Sequence, residues 1–327
     1  MKSNRRDMLK LAAAAGALGC APDIARALTG YPTGPIKLVV PFTAGSGTDI
    51  IGRTVGERLE KLLHQPIVVD NRPGAGGTLG AAAVAAAAPD GYTLLVHSAA
   101  HVANAALYPS LKYDTQKDFM PVTMLATLPN VLVTAPAKGF ASLQDLVRKV
   151  KADPAAFVYG SAGNGSATHI NAEKFRIAAG LRATHVPYRG TPEALTDVMG
   201  GRIDWFFAPL VSAMPLISDG KLTALAVGSA RRSALLPNVP TTIEAGFAGS
   251  DYTFWVGMFA PARTPRDVID RLNAQTQQVL QMPDVTARLD KLGAVTAPME
   301  QKQFADFIRD EIVSTAALIK QAGIRIE

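Results

Sequence analysis

The sequence predicts an α/β protein of two lobes, each a mostly parallel sheet with flanking helices, with a ligand cleft between the lobes. Three observations lead there. At 327 residues the chain exceeds one ordinary core. Its 48% hydrophobic content and mean hydropathy of +0.14 suit a packed chain rather than a disordered one. Short β-branched runs bounded by Gly, Pro or Asp alternate with longer amphipathic stretches, the pattern of sheets covered by helices.

Taken in chain order, residues 1–27 read as an address. Asn4-Arg5-Arg6-Asp7-Met8-Leu9-Lys10 is like a twin-arginine export signal, an apolar segment over 11–18 follows, and Ala25-Arg26-Ala27 supplies an A-x-A cleavage site. A mature chain beginning near Leu28, in the periplasm, is expected. Residues 1–27 hold five basic and two acidic side chains, so without them the formal charge falls from +6 to +3. That mild excess gives no reason to invoke nucleic acid, and it would only weakly favour the approach of small anions. Cys20 is the single cysteine, so no intrachain disulfide forms; its setting, Ala17-Leu18-Gly19-Cys20, is an imperfect lipid-attachment site.

Beyond the address, strands are expected at 36–40, 67–69, 92–97, 131–134, 157–159, 185–187, 203–207 and 252–259. Helices are expected at 50–63, 74–88, 142–152, 168–179, 192–199, 265–280, 283–292 and 301–322. In 50–63 the residues Ile51, Val55, Leu59 and Leu62 share one face, the 3.6-residue period of a core-facing helix. No low-complexity linker divides the chain, so the lobes are expected to be 28–128 plus 251–327 and 129–250, joined by crossing strands near 125–134 and 250–260. Ligands of such sheets sit beyond the carboxyl ends of strands.

Two glycine loops occupy that position. In PFTAGSGTDI, over 41–50, Gly45 and Gly47 permit a turn that delivers the chain to a helix start, where backbone N–H groups lack internal partners. Those amides and the helix dipole attract an anion. The loop offers Phe42, Thr43, Ala44, Gly45, Ser46, Gly47, Thr48 and Asp49, with Asp49 also suited to capping. The second loop, GSAGNGSATH over 160–169, repeats the arrangement with Ser161, Ala162, Gly163, Gly165, Thr168 and His169. Ser98 directly follows the third strand, and Asp204 stands in an apolar strand where it needs either a partner or a cleft. Two such loops can hold one carboxylate from both sides; four charge-assisted hydrogen bonds supply about 6–12 kcal/mol before association costs.

Other chemistries fit less well. Neither loop has the lysine of a P-loop, and Gly74-Ala75-Gly76 lacks full dinucleotide spacing. Residues 159–163 miss the G-x-S-x-G nucleophile elbow by one glycine, so a secreted hydrolase using Ser161 and His169 stands only as an alternative. His97 and His101 have i, i+4 spacing but straddle a strand end without a neighbouring Glu. No cofactor, metal or catalytic residue is expected.

These motifs also resemble a family. The segments 41–49, 70–77 (DNRPGAGG), 89–95 (PDGYTLL), 160–169, 185–190 (HVPYRG), 200–204 (GGRID) and 237–241 (PNVPT) are similar, in order along nearly the whole mature chain, to the Bug proteins, the solute receptors of tripartite tricarboxylate transporters. The resemblance implies a type II periplasmic-binding-protein-like fold, a monomer whose lobes close on organic acids held by main-chain amides and hydroxyls. Residues 42–49 and 161–169 would then hold the ligand with Asp204 near it, and permease subunits would be the partners; an orphan sensor feeding a signalling protein is the alternative. Di- or tricarboxylates, aromatic acids and acidic amino acids are the candidate ligands. One departure stands out: Thr43-Ala44 and Gly45-Ser46 replace the two prolines and the Gly-Gly pair common in the family's first loop.

Overall fold

β1 (Ile36–Val40) pairs in parallel with β2 (Ile67–Asn71) on one side and β3 (Thr93–Ser98) on the other. Between them run α1 (Gly47–Leu63) and, after a 3-10 turn at Ala75–Gly77, α2 (Thr78–Ala85). The computed structural model describes residues 30–325; the predicted export signal, its cleavage site and Cys20 lie outside the described residues. Residues 30–33 belong to one unit, with a cis peptide joining Tyr31 to Pro32, and 34–325 to another, whose architecture follows.

After α3 (Ala100–Leu107), β4 (Phe119–Leu128) completes the outward run, and a single residue, Pro129, separates it from β5 (Asn130–Thr134) of a second sheet. That sheet adds α4 (Leu143–Ala152), β6 (Val158–Ser161), α5 (Ala167–Ala178), β7 (Thr184–Pro187), α6 (Thr191–Met199), β8 (Trp205–Pro209), α7 (Leu210–Ser218) and β9 (Thr223–Val227), with strand order β7-β6-β8-β5-β9. The chain returns through β10 (Phe254–Pro261) and ends with α8 (Arg266–Leu280), α9 (Pro283–Asp290), β11 (Val295–Thr296) and α10 (Gln301–Ala322). The first sheet thus has the order β11-β4-β10-β3-β1-β2.

Both sheets are mixed rather than mostly parallel, which corrects the sequence reading. β10 runs antiparallel to β3 and β4, and β5 antiparallel to β8 and β9. The strands that enter each sheet at a crossing arrive from the other lobe, without the helical crossover that imposes parallel pairing.

Within the second sheet, β8 explains its own sequence. Trp205 and Phe207 pack on one face with Phe175, while Phe206 and Ala208 pack on the other with Val131 and Val133, and all are fully buried. A strand covered on both faces is apolar at every position. Burying each large side chain contributes about 1.5–3 kcal/mol. Ala103 and Leu107 of α3, Ile170 of α5, Ile319 of α10 and Ile324 beyond it form a further buried cluster that ties helices of both sheets to the end of the chain. Among the described residues no helix is long and apolar enough to cross a membrane.

Candidate functional site

The first glycine loop ends in Ser46, the N-cap of α1, whose backbone is extended (φ −65°, ψ 154°) but whose side chain makes no capping bond. The amides of Gly47, Thr48 and Asp49 accordingly donate to no acceptor among the described residues. They form the positive end of a 17-residue helix. The second loop ends in Ser166, the N-cap of α5, which accepts from the His169 amide at 3.2 Å. The amides of Ala167 and Thr168 stay unpaired among the described residues.

Both helix starts line a single cavity, one from each sheet, together with Phe42, Ser98, Ala162, Thr191, Pro209 and Phe254. Thr191 is the first residue of α6, so a third helix start reaches the same place. Its free space is about 10 Å³, on the order of one water. Backbone donors, hydroxyls and an apolar rim of Phe42, Pro209 and Phe254 give it the lining chemistry of an anion site, with room as it stands for about one water.

The structure sorts the sequence-predicted residues. Phe42, Ser46, Gly47, Thr48, Ser98, Ala162 and Thr168 come together around the cavity. Thr43 instead donates to Glu193 of α6 at 3.0 Å, and Ala44 is exposed at the turn. The Gly45 amide is taken by Asp49 Oδ2 at 2.9 Å, and its carbonyl accepts from Ser212 Oγ at 3.0 Å. Asp49 is a structural anchor: its buried carboxylate also accepts from Arg53 Nε at 3.0 Å and Asn71 Nδ2 at 2.8 Å, so its side chain is spent before any ligand arrives.

The second loop is likewise self-satisfied. Ala162 N–H donates to Thr168 Oγ1, Gly163 N–H to Ser161 Oγ and Gly165 N–H to His169 Nδ1. This corrects the expectation that glycine amides point at the ligand; the donors on this side belong to the first turn of α5. Gly163 (φ +114°) and Gly165 (φ +75°) instead shape the loop and let it dock on the first lobe, where a side chain on Gly165 would meet Asn104 Oδ1 at 2.8 Å.

Asp204 is not brought to the cavity. It pairs with Lys138 Nζ at 2.7 Å and accepts from Val158 N–H at 2.7 Å. It therefore sits at the amino end of β6, whereas the glycine loop leaves the carboxyl end. The Ser161 and His169 pairing also needs correction. The imidazole beside Ser161 Oγ is that of His185, with Nε2 at 2.7 Å, and His169 stacks on His185 with ring centroids 4.2 Å apart. Burial, reinforced by the nearby His169, pushes the His185 pKa down to about 3, and burial lowers His169 as well. Ser161 is fully buried. A sealed hydroxyl beside an imidazole of such low basicity is a scaffold for the loop rather than a nucleophile and base. Behind this stack, burial works to raise the Glu173 carboxyl, but bonds from Arg176 and Tyr159 outweigh it and hold its pKa below the ordinary value. His97 and His101 lie in the core among Phe42, Tyr113, Phe119 and Phe259, their pKa values lowered by burial.

Sequence reasoning missed Thr191, Pro209 and Phe254, and covered Ser166 and Ala167 only within the span 161–169. Ser166 had a signal, an N-cap serine directly before a helical pattern. Pro209 and Phe254 are positioned by the fold alone, at a strand end and a strand start far apart in the chain.

Two sheets joined by crossing strands, with opposed helix starts closing on a small cavity, define a solute-binding protein of the two-lobed periplasmic type. Comparisons with known proteins agree and specify it further. Residues 51–324 match the tripartite tricarboxylate transporter family receptor model, and the chain belongs to that family of solute-binding receptors. Protein BugT of Bordetella pertussis is 34% identical over 299 residues, covering 91% of this chain and 92% of the relative. Rpa4515 of R. palustris, solved with adipate, superposes with a TM-score of 0.87 at 32% identity, covering 90% of this chain and 99% of that one. MatC (Rpa3494) of Rhodopseudomonas palustris, solved with bound malate, does so with 0.85 at 33% identity, covering 88% and 100%.

Proposed function

We propose that the protein is a periplasmic, non-enzymatic receptor that captures a small organic carboxylate between its lobes and delivers it to the membrane subunits of a tripartite tricarboxylate-type transporter. The observation that carries this reading is the convergence of the unpaired first-turn amides of α1 and α5 on one cavity. The relatives solved with adipate and malate support the ligand class. Lobe I is taken as 28–128 plus 251–327, lobe II as 129–250, and the receptor acts as a monomer. Within the cavity the Thr48 and Ser46 hydroxyls and the amides of 47–49 and 167–168 hold one carboxylate; the ordered loops around them reduce the entropy lost on binding.

The test is thermal denaturation against mono-, di- and tricarboxylates, aromatic acids, acidic amino acids and neutral sugars. At 100 times its dissociation constant a ligand adds about 2.7 kcal/mol of stability. A rise in midpoint with an acid, absent with sugars and accompanied by no chemical turnover, is expected. Stabilisation by sugars alone would overturn the ligand class. Co-purification with a signalling protein in place of a permease would favour the sensor alternative.

A further inference from the structure

The first glycine loop is bonded across the molecule. Thr43 Oγ1 donates to the Glu193 carboxylate of α6 at 3.0 Å, and Ser212 Oγ of α7 donates to the Gly45 carbonyl at 3.0 Å. Thr191, which opens α6, donates its amide to Ser46 Oγ at 3.4 Å. The loop leads from β1 of the first sheet into α1, whereas α6 and α7 pack on β8 of the second, so all three bonds join one lobe to the other.

Packing fixes the same contact. A Cβ on Gly190 would lie 1.9 Å from Thr43 Oγ1, and one on Gly47 would lie 2.9 Å from the Pro209 Cβ. Gly190 has an extended backbone, with φ −173°, which any residue can adopt; a side chain there is excluded by the space that Thr43 fills. The threonine hydroxyl is thus seated against the turn that opens α6, and its acceptor three residues on is a carboxylate, which makes the bond charge-assisted. Thr43 stands where the family's first loop commonly carries proline, a residue with no hydroxyl to give. Neither Thr43 nor Glu193 lines the helix-start cavity.

We infer that Thr43 and Glu193 form a latch that sets affinity by holding the lobes together, without touching the ligand. This rests on the carboxylate reading above. A bond made only when the lobes meet favours that arrangement by one factor, whichever acid lies between them, so it scales every affinity alike and leaves selectivity unchanged. It forms after encounter, so it slows escape of the ligand and leaves the association rate as it was.

The experiment measures dissociation constants by calorimetry and rates by stopped flow, for each acid of the panel above that binds the mature chain. Thr43→Val keeps the shape and removes the hydroxyl. It should weaken every acid by the same factor, about tenfold, and the loss should lie in koff. Thr43→Ser restores the donor and should return each constant to within about twofold of wild type. Thr43→Val combined with Glu193→Ala should bind no more than about twofold weaker than Thr43→Val alone, because the two groups act as a pair. Unchanged constants in Thr43→Val, factors that differ from acid to acid, or losses that simply add in the double variant would each overturn the latch while leaving the carboxylate reading intact. Failure of every acid to bind the wild type would overturn both.

Discussion

Asp49 shows how a residue can be well placed in sequence and differently employed in structure. A carboxylate two residues into a glycine-turn helix start fits either a cap or a ligand contact, and only Arg53, Asn71 and the Gly45 amide, converging within about 3 Å, decide between them. Asp49→Ala strands those three donors in a partly buried place; it should cost about 2–4 kcal/mol in chemical denaturation. A loss below about 0.5 kcal/mol would mean that the network does not support the loop. By contrast Ser46, Gly47 and Thr48 were legible, because turn glycines before an amphipathic run mark a helix start wherever the rest of the chain lies. Asp204 was not: its partner Lys138 is 66 positions away, and no local pattern announces that distance.

At the scale of elements, the long helices declared themselves by their period, and α10 falls at its expected bounds. The helix after the first loop starts three residues earlier than its apolar pattern, at Gly47, since glycine and threonine carry no period. β4 was read only at its end because Pro121 interrupts it; the proline sits where the register with β10 slips between Met258 and Phe259. α7 was hidden by Pro215 inside it. The docking of one glycine turn on another was also beyond local reading. A Cβ on Gly76 would lie 2.0 Å from the Asn164 carbonyl oxygen, and Tyr108 donates to that same oxygen at 2.8 Å. Gly76→Ala should therefore hinder closure. We expect acid affinity to fall about 5- to 100-fold by titration, with about 1 kcal/mol lost from the unliganded protein because of the positive φ. An unchanged dissociation constant would show that the lobes bind without meeting there.

For the molecule as a whole, buried imidazoles couple stability to pH. Burial holds His101 and His185 at about 3 and lowers His97 and His169, so in the folded chain these rings stay neutral through mild acid. The unfolded chain protonates its histidines below about 6.5. It then binds more protons than the folded chain, so stability is complete above about 6.5 and is lost as the pH falls from there toward 3. Each of His101 and His185 contributes a loss of about 1.4 kcal/mol per pH unit across that window. Urea denaturation should be flat between pH 7 and 8 and weaken from 6.5 to 5, and His185→Asn should remove about one proton from that slope. An identical slope in the variant would mean that His185 is protonated in the folded state, with Glu173 outweighing both burial and the facing His169. Composition and alternation made the two-lobed plan readable, but not the strand directions, which follow from where the chain crosses at Pro129 and comes back at β10.

The terminal cluster adds something to the outside of the molecule. Ile170 rides on the helix whose opening turn faces the cavity, and it is packed with Leu107 of the opposite lobe and with Ile319 and Ile324 near the chain's end. Were the lobes to swing apart, that apolar seat would have to open, which would tie the setting of the carboxy-terminal tail to the state of the chamber. A docking partner could gauge cargo there without touching the cargo itself.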